Sequence, residues 1–297
     1  MSIIKGAYNY ANDAGMLRFI PDKQFLEIAF RMKLGKKLDL ENPKTFNEKL
    51  QWLKLYDRRP EYTTMVDKYE AKKWAARRIG EKYIIPTLGL WENFNQINFD
   101  DLPNQFVLKS THDSGSVAIC RDKNRFNYRD TKDIIERSLR KNFYYRNREW
   151  PYKNVKPRII AEKYLSVLES STELVEYKFF CFDGEPQIVL ICKGEAHGNG
   201  RTNDFYTTNF EHIPVRLTYP NAREICSKPK TFDEMMSIVR KLSMGIPQLR
   251  VDLYDANGTI YFGETTFFHD GGFCKFSPPE WDKKLGEYIK LPNKEIR

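Results

Sequence analysis

The sequence predicts a mixed α+β protein in which antiparallel sheet dominates the second half. Three observations carry that expectation. Helical patterns with start and stop signals fill much of the first half, as in "NPKTFNEKLQWLKLYD" and "DKYEAKKWAARRIG". The runs "RIIAEKYL", "EYKFFCFDG", "PQIVLICKG" and "NDFYTTNF" follow one another with short breaks, as consecutive strands do. Near the C-terminus two apolar runs flank "DANG", a strong hairpin turn signal.

Taken in order, residues 22–33 mix apolar and basic positions as a short amphipathic helix would. Such a helix either packs on its own domain or lies on a membrane surface, and both readings stay open. Thr45 and Glu48 have capping-box spacing, and Phe46, Leu50, Leu53 and the nearby Trp52 give the next helix an apolar stripe. A basic helix follows and ends at Gly80. "YIIPTLGLW" reads as strand and turn, and Phe106 to Cys120 as two strands joined by the loop "THDSGS", residues 111–116. "DTKDIIERSLRKNF" is a helix, and "YYRNREWPYKNVKP" an irregular basic, aromatic segment. After the strand-rich block, "TFDEMMSIVRKLSMG" is a helix in which Thr231 and Glu234 repeat the capping-box spacing. "QLRVDLYDANGTIYFGETTFF" closes the pattern as a hairpin.

The 297 residues suffice for one large or two ordinary domains, and 41% hydrophobic with 14% aromatic content excludes a disordered chain. No run approaches the length of a membrane helix, and the first residues lack a secretory pattern. Five cysteines stand singly, which favours a reducing cytoplasm over a disulfide framework. The net charge of +9 favours anionic partners without choosing among them.

Chemistry concentrates on the strands. Arg250 and Asp252 are two apart and share a strand face, as do Glu264 and Thr266. Adjacent strands would bring these residues to one patch, which suits either Mg²⁺ or a cross-strand salt bridge. Lys109 ends a strand beside the 111–116 loop, and Glu176 and Lys178 share a strand face. His112 and His269 stand beside these elements, while His197 and His212 stand alone. No pair of histidines or cysteines has zinc-ligand spacing, and no Rossmann, Walker or nucleophile-elbow motif is present.

The ordered set lysine–strand–loop, "EKYL", E-x-K strand and R-x-D hairpin with E-x-T resembles the ATP-grasp superfamily, and within it the teichuronopeptide-biosynthesis (TupA-like) family. The resemblance runs from about residue 20 nearly to the end and includes "GGFCKFSPPEWD". It implies an ATP-grasp fold of two α+β subdomains gripping ATP, with a helical N-terminal extension. The implied divisions are 1–62, 63–165 with the flap loop 111–116, and 166–297 with the metal hairpin.

Carried over residue by residue, the resemblance gives Lys68 and Lys109 to the phosphates and Ser114, Gly115 and Ser116 to the flap over the triphosphate. Glu162, Lys163, Tyr164 and Leu165 match the strand end that reads adenine through its backbone. Glu176 matches the ribose acid, with Glu169 as an alternative. Asp252 and Glu264 match the metal carboxylates, and Thr266 stands where most relatives have Asn. Arg250 matches the oxyanion-stabilising arginine, and Lys178 would face the phosphates or the acyl substrate. His269, Arg201 and Lys193 are further substrate candidates. The 144–153 segment has two open readings: Arg146 and Arg148 pair with uronate carboxylates while Tyr145 and Trp150 stack on sugar rings, or it is a surface loop with ordinary packing aromatics.

The implied reaction is an ATP- and Mg²⁺-dependent ligation of a carboxylate to an amine through an acyl phosphate. The implied setting is surface-polysaccharide synthesis, in the cytoplasm or at the inner membrane face. The implied partners are a uronate-containing saccharide and an amine or amino acid, with no nucleic acid. A sugar kinase or glycosyltransferase of the same pathway is the alternative.

Overall fold

The computed structural model describes residues 2–165, 174–194 and 200–293. The N-terminal part is helical: α1 (Ser2–Asp13), α2 (Asp22–Leu34), α3 (Phe46–Tyr56), α4 (Glu61–Val66) and α5 (Lys68–Ile79). Helix α2 buries Phe25, Leu26, Ala29 and Phe30 against the chain's own core, which decides the reading that the sequence left open. The Thr45–Glu48 capping box forms at the start of α3 as its spacing predicts. Asp67 caps α5 by accepting the amide hydrogens of Tyr69 and Glu70. Helices α1 and α4 were not separately marked by the pattern; α1 is short of buried apolar positions, and α4 has six residues.

Two sheets follow. The smaller has the order β1 (Thr87–Trp91), β4 (Ile159–Lys163), β2 (Phe106–Ser110), β3 (Val117–Cys120) and is antiparallel throughout. Phe106, Leu108, Cys120, Ile159 and Ala161 point to one side, where Ile135 of α6 (Tyr128–Leu139) closes a small core. Alternation then sends Val107, Lys109, Val117, Ile119 and Glu162 to the opposite face. The 144–153 segment, expected as irregular, contains the single-turn helix α7 (Tyr144–Asn147) and a 3₁₀ turn at Trp150–Tyr152.

The larger sheet contains β5 (Val175–Phe182), β6 (Glu185–Lys193), β7 (Thr202–Thr207), β8 (His212–Ile213), β9 (Leu249–Ala256) and β10 (Thr259–Thr266), in the order β10-β9-β5-β6-β7-β8. Its apolar face, including Phe179, Val251 and Leu253, packs under α8 (Phe232–Ser243), with α4 and α5 alongside. Tyr62, Met65, Ala71 and Trp74 therefore share the core of this sheet. The expected capping box of α8 is absent. Thr231 already has helical dihedrals (φ −82°, ψ −5°), so its hydroxyl turns from the helix amides and donates to Asp255 at 2.5 Å.

The last hairpin turns through Asn257 and Gly258, both at positive φ, as "DANG" predicts. Strand β10 then does something alternation does not announce. Ile260 and Phe262 lie in the core, yet Glu264 and Thr266, of the same parity, do not. A bulge at Gly263 shifts the register, so Phe262 pairs with Leu253 but Glu264 pairs with Asp252. Helix α9 (Trp281–Tyr288), unmarked by the pattern, returns to α3, with Gly286 against the backbone of Lys44 and Thr45.

A Cβ at Gly263 would stand 2.9 Å from the Tyr254 ring and 3.0 Å from the Asp252 carbonyl oxygen. Gly263→Ala is therefore expected to cost about 1–3 kcal/mol, the usual range for overpacking a close contact. Urea unfolding with an unchanged m-value checks this; wild-type stability would show that the bulge has room.

Candidate active site

Arg250 and Asp252 of β9, Glu176 and Lys178 of β5, and Glu264, turned there by the bulge, share one face. Asp252 is the hub. Its Oδ1 accepts from Arg250 Nε at 2.7 Å, and its Oδ2 accepts from Arg250 Nη2 at 2.6 Å and Lys178 Nζ at 2.7 Å. Lys178 lies directly across from Asp252 on β5 and also reaches Glu176 at 2.7 Å. Arg201 holds the other oxygen of Glu176 at 3.2 Å, and Arg250 reaches Glu264 at 3.2 Å. Burial alone would strip Asp252 of its charge, but Arg250 and Lys178 outweigh that and hold its pKa below the usual range. Burial likewise opposes the Lys178 ammonium, and Asp252 and Glu176 reverse the sign and raise its pKa.

The smaller sheet faces this set with a second one. Glu162 bridges Lys109 at 2.6 Å and Lys72 of α5 at 2.8 Å. Burial pushes its pKa up, but Lys109 and then Lys72 bring it down to about 2. Lys109 is opposed by burial too, yet Glu162, Glu264 and Glu176 raise its pKa, so it senses the acids of both sheets. Val117 and Ile119 stand beside Lys109 on the same face, 40% and 42% exposed, an apolar floor next to a cation. Tyr254 lies among Glu176, Glu264, Asp252 and Glu162, whose charges together with burial raise its pKa well above the usual value.

Sequence reasoning missed Lys72 and Tyr254. Lys72 lies one helical turn beyond Lys68, and that spacing is its only signal. The Glu162 carboxylate was also unforeseen, since expectation rested on its carbonyl. The Lys163 amide donates to the Pro86 carbonyl at 3.0 Å, so the backbone free of the sheet begins beyond it, at Tyr164 and Leu165.

Lys68 turns to the flap itself, donating to the carbonyls of Ser110 (3.0 Å) and Asp113. In that loop Ser114 and Gly115 are exposed, Gly115 has φ +104°, and Ser116 donates to Asp113. His112 is buried, with Nε2 against the carbonyls of Ser138 (3.1 Å) and Lys141 (3.2 Å). It anchors the loop and cannot meet phosphate.

Other expectations in the aromatic segment need correction. Arg148 is 1% exposed, donates to the carbonyls of Leu17, Arg18 and Ile20, and pairs with Asp22. It ties the N-terminal helices to the segment and is closed to a uronate. Trp150, half-buried, packs beside Tyr62 against the core, and the Tyr145 ring has guanidinium groups of Arg18 and Arg148 at 5.2 and 5.3 Å. Arg146 is exposed. Lys193 pairs with Thr202 at the end of β6, and Glu169 and His197 lie outside the described residues.

His269 receives Arg250 Nη1 on Nδ1 at 2.5 Å and is 6% exposed. Burial, with Arg250 and Lys178 beside it, brings its pKa down to about 4, so the ring is neutral near pH 7. Its loop is fastened from α3: Lys54 Nζ donates to the Gly271 carbonyl at 2.6 Å, and Gln51 Nε2 to that of Gly272 at 2.6 Å. Donor atoms of His269, Asp270 and Cys274 approach within 4.8 Å of one another, a grouping their spacing does not announce.

Across the cleft, five cations (Lys72, Lys109, Lys178, Arg201, Arg250) meet four carboxylates (Glu162, Glu176, Asp252, Glu264). A polyanion meets a surplus of positive charge, and a hard cation meets carboxylates. Glu264 keeps 37% of its side-chain surface open and carries a single arginine contact, so it suits Mg²⁺ as it stands. Asp252 has no exposed surface and would have to yield contacts to Lys178 or Arg250 before serving a metal.

A family profile described as "TupA-like ATPgrasp" matches residues 48–290. No curated protein matches the chain. Among solved structures, the chain is similar to D-alanine–D-alanine ligase from Bacillus anthracis complexed with ATP (16% identity, TM-score 0.38, covering 69% of this chain and 54% of that one). It is also similar to the Helicobacter pylori D-alanine–D-alanine ligase (15%, TM-score 0.44, 84% and 68%). A third is a RimK domain ATP-grasp protein from Sphaerobacter thermophilus (10%, TM-score 0.40, 79% and 70%). At these values the likenesses assign no roles to the site residues, and the chain spans about half the length of the first structure.

Two predictions follow from the charge network. Asp252→Asn leaves Arg250 and Lys178 buried without their shared counter-charge and is expected to cost about 3–5 kcal/mol in urea unfolding. Wild-type stability would mean the pair is not buried as described. Acid is the second lever. His269 (about 4 folded, 6.5 ordinarily) and Glu162 (about 2 against 4.5) both have folded pKa values below their unfolded ones. Their contributions are complete above pH 6.5 and pH 4.5 respectively, and each is lost as pH falls through the folded value. Stability plotted against pH should therefore fall less steeply between 6.5 and 4 in His269→Gln than in the wild type.

Proposed function

The chain belongs to the TupA-like ATP-grasp family, and on that footing we propose that it is an ATP-dependent carboxylate–amine ligase. Its reading in finer detail is the amidation of a uronic acid by an amine or amino acid during bacterial surface-polysaccharide synthesis. It would work in the cytoplasm or at the inner membrane face.

One observation carries the proposal: Lys109 and the Asp252–Glu264 pair lie on two facing sheets, close enough for Glu264 to act on the Lys109 charge. ATP would lie between residues 63–165 and 166–297. Val117 and Ile119 suit a purine face, Tyr164 and Leu165 the base edge, and Glu176 the ribose hydroxyls. Lys109, the Ser114–Gly115–Ser116 flap and Lys178 would hold the phosphates. Lys68 supports this by fixing the flap backbone. Asp252 and Glu264, with Thr266 nearby, would hold Mg²⁺, which when bound neutralises charge on the transferring phosphoryl oxygens.

The substrate carboxylate attacks the γ-phosphorus and ADP leaves. The amine then attacks the acyl carbon, a proton is lost from nitrogen, and phosphate departs. Arg250, held by Asp252 and His269, would receive the oxyanion.

The test is phosphate release from Mg²⁺-ATP with panels of uronates and amines, read with product mass. Release should require both substrates, and the product should weigh their sum less one water. ATP consumption with a sugar and no amine would replace the ligase by a kinase. Lys109→Ala should lower kcat/KM by about 10²-fold or more and lower the unfolding midpoint by less than Asp252→Asn does, because Glu162 keeps Lys72.

A further inference from the structure

A cavity of about 380 Å³ lies between α1, the segment after it, the flap loop and the C-terminal end of α6. We propose that this cavity binds an acidic saccharide through its anionic groups, carboxylate or phosphate ester. It would be the acceptor pocket of the ligase read above, and in that capacity it rests on that reading.

Charge is the first reason. Arg18, Arg137, Lys141 and Arg146 all line the cavity, and none has a carboxylate partner among the described residues. Two acids share the wall, Asp13 and Asp113. Asp113 is already engaged, accepting the hydroxyls of Ser116 and Ser138 and lying 3.8 Å from Lys68. Four like charges around one concavity repel one another, and an anion bound among them relieves that repulsion. The guanidiniums of Arg18 and Arg146 lie over the rings of Tyr145 (5.2 Å) and Phe143 (5.9 Å), which limits their freedom and holds them at the wall.

Shape is the second reason. The volume falls in the range of small-molecule sites, so it takes a sugar or the end of a chain. Asn12, Asn142 and Ser114 add amides and a hydroxyl suited to a polyhydroxy ligand.

Position is the third. Ser114 and Ser116 belong to the flap that follows Lys109. Phe143, on the cavity wall, packs edge-on against the half-buried Tyr152 at 4.8 Å. The cavity therefore shares the flap with the strand that carries Lys109. Helix α1 and Arg18 become a wall of the acceptor site, so the N-terminal region selects substrate as well as covering the core.

The experiment is calorimetric titration of the full chain with trigalacturonate, a hexose phosphate and neutral maltotriose, at two salt concentrations. Nucleotide binding is measured alongside. An acidic sugar should bind, more weakly at high salt, and maltotriose should not; which of the two acidic ligands binds names the anion. Arg137→Ala/Lys141→Ala, both exposed positions, should weaken that binding tenfold or more and leave the nucleotide Kd within twofold. Equal binding of maltotriose, acidic-sugar binding unchanged in the double variant, or no acidic-sugar binding at all overturns the proposal. Nucleotide binding without acidic-sugar binding removes this inference and leaves the ligase reading. The converse removes the ligase reading and leaves the pocket.

Discussion

Asp252 is a carboxylate with no exposed surface, and the arrangement of the cleft depends on how its charge is met. An ionised group taken out of water is strongly disfavoured unless neighbours replace the lost solvation. Here the replacement is complete: three hydrogen bonds come from two cations, Arg250 on its own strand and Lys178 on the next. Those cations in turn hold Glu264 and Glu176, and Glu176 holds Arg201. The result is a sheet face on which the charges orient one another. Each of these side chains is thereby held in place by the others.

Glu264 joins that network only because a strand changes phase. On β10 the core takes Ile260 and Phe262, and a continued alternation would have sent Glu264 inward with them. The bulge at Gly263 inserts one residue and turns Glu264 to face Asp252, while Thr265 goes inward and donates to the Met65 carbonyl of α4. A single residue without a side chain thus converts a core strand into a site strand partway along. The close approach of the Tyr254 ring and the Asp252 backbone explains why that residue is glycine.

Besides Lys72 of α5 on Glu162, two sets of buried contacts tie the helical N-terminal region to the rest of the chain. Through Lys54 and Gln51, α3 grips the carbonyls of the loop after β10, and that loop carries His269 onto Arg250. Through Arg148, the aromatic segment grips the backbone between α1 and α2. Buried cations on carbonyl oxygens make directional, charge-assisted contacts, so the helices are held in a definite place relative to the cleft. The same segment supplies Arg146 to the cavity beside the flap.

Much of this was legible in the residues. Capping at Thr45, the "DANG" turn, the strand-rich second half and the shared faces of Arg250 with Asp252 and Glu176 with Lys178 are local properties of short segments, set by backbone sterics and the two-residue strand period. What the tertiary structure decided is which charges meet. Lys72 and Glu162 are ninety positions apart, Arg148 looks like any surface arginine until its carbonyl partners close around it, and Thr231 abandons its helix for Asp255. Burial and pairing are relations between distant segments. Side-chain type and spacing state what a residue can do, and only packing determines which water and which partner it loses or gains.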